Sequence, residues 1–210
     1  MNNFNYILFR QAFIDRRVFS RTDVIKRFPN FDSRRLVEWQ RKGYIQKITN
    51  KWYLFSEISL DEMLLYRIGN CLCRPSYISL ESALSYYQMI PEGVYSNQSV
   101  TTHTTVIYNT PVGSFNYRSL KPALYFGYQV LHSHQLPVLM AEPEKALLDL
   151  LYLNTSLKTA EDIEALRLNY EGWERLVDWK KFDRYARVFD SATLQKRIIN
   201  LKKSLEHANA

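Results

Sequence analysis

A short helix signature with a stop and an immediate hairpin constrains this chain more than any other feature. Asp32 reads as an N-cap for a helix over Ser33–Lys42, and Gly43 stands where a left-handed C′ glycine would end it. Two short runs follow, Tyr44–Ile48 and Lys51–Phe55, with Thr49 and Asn50 between them. Asn tolerates the left-handed backbone of a tight turn, so these runs predict a hairpin. Upstream, residues 4–14 carry Phe4, Ile7, Leu8 and Phe13 or Ile14 near helical spacing. Ser20 can cap a second helix, Arg21–Arg27, which Pro29 terminates at the latest. Helix, helix, helix and hairpin, in that order, predict a winged helix-turn-helix over residues 1–58.

Charge supports the same segment. Residues 1–58 hold twelve Lys and Arg against five Asp and Glu, while the remainder holds sixteen of each. The whole net charge of +7 therefore sits in the first quarter of the chain. A basic segment joined to a neutral one predicts a polyanionic partner for that segment.

On a wheel of the third helix, Leu36, Val37 and Gln40 fall on one side, with Trp39 at the margin. Arg34, Arg35, Glu38, Arg41 and Lys42 fall on the other. One face can pack on the first two helices while the other presents four cations, the layout a recognition helix needs for double-stranded DNA. Ser33, Arg34 and Arg35 occupy the first turn, from which side chains reach base edges, and an arginine there can fork onto guanine. Lys47 and Lys51 flank the hairpin turn with Asn50 at its tip, as wing contacts would require. Arg21 and Thr22, opening the second helix, suit phosphate oxygens. For any one of these cations the plainer alternative is a solvated helix face. Agreement of charge, helix order and hairpin favours DNA for the set. Winged helices also serve as protein-interaction modules, which remains an alternative.

Beyond residue 58 the texture changes. Leu60–Leu72 has the apolar face of a helix, broken by Arg74-Pro75-Ser76, and Ser79 is placed to cap a helix over Leu80–Tyr87. Strands are expected at Gln98–Tyr108 and Gly113–Leu120, joined by a Thr-Pro-Val-Gly turn, and again near Leu124–Val130 and Val138–Met140. Pro143–Asn154 opens with Pro at the first helical position and two glutamates at the positive dipole end. Residues 159–206 read as helical, with Trp173 and Trp179 near a break. The last helix, Ala192–Leu205, carries a Leu194, Ile198, Leu201, Leu205 stripe. The expected fold class is α+β: a winged helix over 1–58, then a larger mixed domain over 59–210 with a helical C-terminus.

The middle of the chain also carries a resemblance. PSYISLESALSYYQMIPEGVY (75–95), the Thr-rich strand Ser99–Thr105, TPVGSFNYRSLKPALYFGY (110–128) and AEPEKALLDLLYL (141–153) follow the basic start in order. Together they resemble the AbiEi-type antitoxins and transcriptional regulators of bacterial type IV toxin–antitoxin operons. The resemblance implies a DNA-binding head that represses its own operon at repeated operator sequences. It implies a C-terminal domain that supports both repression and toxin neutralisation. The partner would be a nucleotidyltransferase-like toxin from the neighbouring gene, countered without a required stable complex. No enzymatic activity and no cofactor are expected. AbiEi-like regulators also occur without a toxin, so a stand-alone regulator is the alternative. The apolar stripe of the last helix could pair protomers on repeated sites, although burial within the same chain explains it equally well.

Three constellations imitate other chemistry. Glu142, Glu144 and Lys145 form an E-x-E-K run like part of a metal-dependent nuclease, but acids at a helix start are stabilising in any case. Cys71 and Cys73 with His132 and His134 could make a Cys2His2 set, yet C-x-C is not the usual zinc knuckle, so no metal is expected. His103 among threonines reads as a surface residue, and Tyr86, Tyr87, Tyr125, Phe126 and Tyr128 as core aromatics with polar tips. Two cysteines make no disulfide framework, no secretory leader opens the chain, and no run is long and apolar enough to span a membrane. A bacterial cytoplasmic protein is expected, without membrane partners.

Overall fold

Helix α1 (Tyr6–Phe13) starts where the Asn5 side chain accepts the Leu8 amide at 3.0 Å. The computed structural model describes residues 5–91, 96–134 and 136–208; Phe4, counted above in this helix, and positions 92–95 of the resembling run lie outside them. The buried pair on α1 is Phe9 and Phe13, one turn apart. Ile7 and Leu8, expected on the inner stripe, are exposed. The two phenylalanines meet Phe19 and Phe55, and aromatic stacking decides which face turns inward.

Strand β1 (Val18–Ser20) follows, an element the sequence reading missed. It is only three residues long and makes sense only when paired. Helix α2 (Arg21–Arg27) opens with a capping box: Ser20 Oγ accepts the Asp23 amide at 3.1 Å and Asp23 accepts the Ser20 amide at 2.9 Å. Helix α3 (Arg34–Arg41) begins one residue later than expected. Ser33 holds the N-cap position without a side-chain cap, and the Asp32 carboxylate takes the Arg34 amide instead. Gly43, at φ +72°, ends the helix in the left-handed region as foreseen.

Strands β2 (Ile45–Lys47) and β3 (Trp52–Phe55) form the expected hairpin, and β1 adds to its other edge in the order β1-β3-β2, all antiparallel. The period-two alternation of β3 gives this sheet two buried faces. Tyr53 and Phe55, with Phe19 and Ile45, join Phe9, Phe13, Val24, Leu36 and Trp39 in one core. Leu54, with Val18 and Ile48, joins Leu64, Ile68, Phe115 and Tyr117 from beyond residue 58 in another, and Trp52 packs against it. The continuous apolar run WYLF is the sequence form of a strand covered on both sides.

Helix α4 (Glu62–Leu72), capped by Asp61, lies against a six-stranded mixed sheet of order β6-β7-β5-β4-β9-β8. Its strands are β4 (Ser76–Ile78), β5 (Asn97–Thr101), β6 (Val106–Thr110), β7 (Gly113–Ser119), β8 (Tyr128–Ser133) and β9 (Leu136–Ala141). β4 pairs β9 and β5 pairs β7 in parallel; the other pairings are antiparallel. A Cβ at Gly69 would stand 3.2 Å from Ile78 Cδ1, so this position lets α4 approach the sheet closely.

Two expected strands are corrected. Gln98–Tyr108 is not one strand but β5 and β6. Threonine side chains break the ladder between them: Thr101 Oγ1 accepts the His103 amide and Thr105 Oγ1 accepts the Ser119 amide. Leu124–Val130 does not start as a strand. Pro122–Leu124 is a 3-10 turn, Gly127 has φ +69°, and β8 begins only at Tyr128.

Helices α5 (Leu80–Tyr86) and α6 (Pro143–Leu153) pack on one another, the latter with Pro143 in its first turn. Four helices close the chain: α7 (Ala160–Glu164), α8 (Tyr170–Leu176), α9 (Trp179–Val188) and α10 (Ala192–Ala208). The expected break near the tryptophans falls between α8 and α9, where Asp178 caps the Lys180 and Lys181 amides. Leu194, Ile198 and Leu201 of α10 are buried in the main core and Leu205 packs against it, so the stripe offered for pairing protomers is covered by its own chain. The fold is mixed α+β, and among the described residues no helix is long and apolar enough to cross a membrane.

Candidate nucleic-acid interface

Arg21 links three segments that are separate in sequence. Its Nε donates to Ser33 Oγ at 3.0 Å, and its backbone amide donates to the Lys51 carbonyl at 3.1 Å. The start of α2, the start of α3 and the start of β3 therefore meet at one place. Arg21, Thr22, Asn50 and Lys51 are exposed there, and Ser33 is half-buried. Lys47 lies nearby on β2, exposed and opposite Tyr53.

Along α3 the inner seam is Leu36 and Trp39, one turn apart. Trp39, expected at the margin, is central: its ring lies 4.5 Å from Phe9, 5.5 Å from Tyr6 and 5.9 Å from Phe31. Val37, expected inside, is 51% exposed, on the same side as Arg34, Glu38 and Arg41. A helix of eight residues packing on one aromatic cluster buries only a narrow i, i+3 seam, so the wheel's broad apolar side was misassigned. Gln40 folds its amide back onto the Leu36 carbonyl at 2.9 Å.

Arg34 and Lys42 each meet a neighbouring carboxylate. Arg34 forks onto Asp32, with its Nη2 2.8 Å from Oδ2, although its side chain is 91% exposed. Hydrogen bonds from Arg34 hold the Asp32 carboxyl below its ordinary value. Lys42 meets Glu38 one turn back at 2.6 Å; that hydrogen bond lowers the Glu38 carboxyl and raises the Lys42 ammonium. Exposed pairs of this kind contribute little to stability and exchange easily for a phosphate. Arg21, Arg41, Lys47 and Lys51 have no carboxylate within ion-pair reach among the described residues. Arg35 is half-buried within α3.

Sequence reasoning missed two basic residues on the other side of the junction. Arg67 of α4 and Arg74, just past its end, line a groove of about 400 Å³ together with Thr22 and Trp52. Arg74 sits 5.6 Å over the Trp52 ring. No local period pairs them, because α4 ends at Leu72 and the backbone is extended at Cys73 before Arg74. Only the burial of β3 against α4 brings them beside the basic segment.

The nuclease-like run separates in space. Glu142 meets Lys181 at 3.0 Å and Tyr185 Oη at 2.7 Å, while Glu144 meets Lys181 at 3.2 Å and accepts the Asp178 amide at 2.9 Å. Both glutamates thus fasten α9 to the start of α6. Lys145 turns the opposite way, into the core against Asp149. Cys71 and Cys73 are buried, whereas His132 and His134 are exposed, His134 in a turn at φ +49°. Among the described residues no group of three His, Cys, Asp or Glu is placed to hold a metal. No family model matches the chain, and no curated protein matches it either.

Proposed function

We propose that residues 1–58 form a winged helix-turn-helix that binds double-stranded DNA, and that the chain represses its own operon. The observation that carries this is the Arg21 junction, where the starts of α2, α3 and β3 bring Arg21, Thr22, Ser33, Asn50 and Lys51 to one place. Three helices with a three-stranded antiparallel sheet, its first strand between α1 and α2, support the assignment. So does α3. An α-helix is about 10–12 Å across with its side chains and fits a major groove about 12 Å wide, and α3 turns Arg34, Glu38 and Arg41 outward on one side. In this arrangement Arg34 exchanges Asp32 for DNA, Arg41 and Lys42 lie along the groove, and Lys47, Asn50 and Lys51 touch the flanking backbone.

An electrophoretic shift on the DNA upstream of the gene tests this. Sequence-specific retardation that Arg21→Ala/Lys51→Ala abolishes and Arg34→Ala/Arg35→Ala weakens supports it. No retardation at low salt sinks it.

The resemblance to AbiEi-type antitoxins extends the proposal to residues 59–210, which would counter a nucleotidyltransferase-like toxin without a stable complex. Co-expression with the neighbouring gene tests that half: the full chain should restore growth, and residues 1–58 alone should not. One observation favours a second function, a protein-interaction module. Ile7, Leu8, Val37 and Tyr44 leave apolar surface exposed on and beside α1 and α3. A partner protein retained by the basic segment when DNA is not would decide for it.

A further inference from the structure

A cavity of about 650 Å³ lies beside α4, lined among others by Arg67, Arg74, Tyr125 and Tyr128. Its volume is that of a small-molecule site. Two guanidinium groups line it, and none of its lining residues carries a carboxylate. Neither arginine has an ion-pair partner among the described residues. Arg67 Nη1 donates to the Pro137 carbonyl at 2.9 Å, which fixes the guanidinium, but its Nε is buried without any hydrogen-bond partner. Among the described residues Arg74 donates to the Asn70 carbonyl at 3.3 Å and the Cys71 sulfur at 3.4 Å, both weak or long, and lies over the Trp52 ring. Arg67, half-buried without a carboxylate, is costly, and an anion held with the exposed Arg74 supplies the missing acceptors bidentately.

The rest of the lining is fixed by the fold. Asn70 is held in place, its side chain both donating to the Leu139 carbonyl and accepting the Leu139 amide. Tyr125 and Tyr128 stand 5.3 Å apart and both rest on the buried ring of Tyr77, at 5.1 and 5.0 Å. Tyr128 is 37% exposed and lines the same cavity as the arginines. Two cations and a supported aromatic pair lining one cavity suit a ligand with a phosphate at one end and a planar ring at the other.

We propose that this cavity binds a mononucleotide, its phosphate held between Arg67 and Arg74 and its base stacked on the Tyr125–Tyr128 wall. Its two arginines also line the groove that reaches Thr22, so the site adjoins the Arg21 junction, but its ligand is argued from the cavity and not from the DNA assignment.

Calorimetric titration of the full chain with AMP and GMP tests it, with adenosine, guanosine and inorganic phosphate as partial probes. Saturable binding of a nucleotide, tighter than of its nucleoside or of phosphate, is expected. Arg67→Met and Arg74→Met should each weaken it by about tenfold or more. Tyr128→Ala should weaken the nucleotide while leaving inorganic phosphate unchanged. Because Arg67 also holds Pro137, Arg74→Met, at an exposed position, is the decisive variant. Absence of saturable nucleotide binding, or binding that Arg74→Met leaves unchanged, overturns the proposal. So does a duplex-DNA affinity that falls in Arg74→Met while no mononucleotide binds, which would assign these arginines to the DNA backbone.

Discussion

Lys145 Nζ is hydrogen-bonded to the carboxylate of Asp149 one turn further along α6, and neither side chain is exposed at all. The pair is enclosed by its own chain. Lys145 also donates to Tyr77 Oη at 2.8 Å, and the Tyr77 and Ser79 hydroxyls donate to the second carboxylate oxygen at 3.0 and 2.8 Å. The rings of Tyr77, Phe126 and Phe189 surround the ammonium at 5.0 to 5.4 Å. Ser79 was expected to cap α5; it stands at the N-cap position, but its hydroxyl serves Asp149 instead. Burial pushes the lysine down and the aspartate up from their ordinary values.

Breaking this pair leaves one charge buried alone, which costs more than removing both. Asp149→Ala is expected to destabilise the chain by about 3–5 kcal/mol in urea unfolding. Lys145→Met/Asp149→Leu should recover most of that loss. A double variant as unstable as the single one would refute this account of the network.

The depressed lysine also sets a pH dependence. In the window between its folded value and the ordinary 10.5, the folded state binds less proton than the unfolded chain, so stability from this group rises with pH. Below that window the full penalty of the buried ammonium is present. In Asp149→Asn, where the opposing carboxylate is gone, the window reaches lower pH. The stability gap between Asp149→Asn and the natural chain should therefore narrow as pH rises from the variant's folded lysine value to the natural chain's, and stay constant above that. A gap that widens with pH would contradict it.

Trp39 and Val37 separate packing from surface on α3. Trp39→Ala removes the centre of an aromatic cluster and should cost about 3–5 kcal/mol. Val37→Ala, on the exposed side, should stay within about 0.5 kcal/mol. Thermal unfolding of both variants checks the order, and reversal would place the seam of α3 elsewhere.

The Asp32–Arg34 fork makes a specific expectation for DNA. Asp32→Ala removes both a competitor for Arg34 and a negative charge near the phosphates, so affinity for duplex DNA should rise. Arg21→Ala and Lys51→Ala should each lower the slope of log affinity against log salt by about 0.9. Unchanged slopes in a salt titration would remove these residues from the backbone contacts.

The wheel of α3 shows where legibility ended. It separated most charged from apolar residues but could not choose between Val37 and Trp39, because that choice depends on the rings of Tyr6, Phe9 and Phe31. The same holds for β1, whose three residues carry no period of their own and are a strand only because Leu54, Tyr53 and Trp52 lie opposite.

Local signals in the sequence determined the elements that are locally stabilised: the Ser20 cap of α2, the Gly43 stop of α3, the β2–β3 hairpin, Pro143 at the start of α6, and the concentration of positive charge before residue 58. Each depends on backbone chemistry within a few residues, or on simple counting. Only the tertiary structure decided which side chains share a neighbourhood. It turned Lys145 away from Glu142 and Glu144, drew Ser79 from its cap to Asp149, joined Arg21 to Ser33 and Lys51, and set Arg67 and Arg74 in one cavity with Tyr125 and Tyr128. Those relations follow from burial and from the pairing of distant segments, whose energies no local pattern encodes.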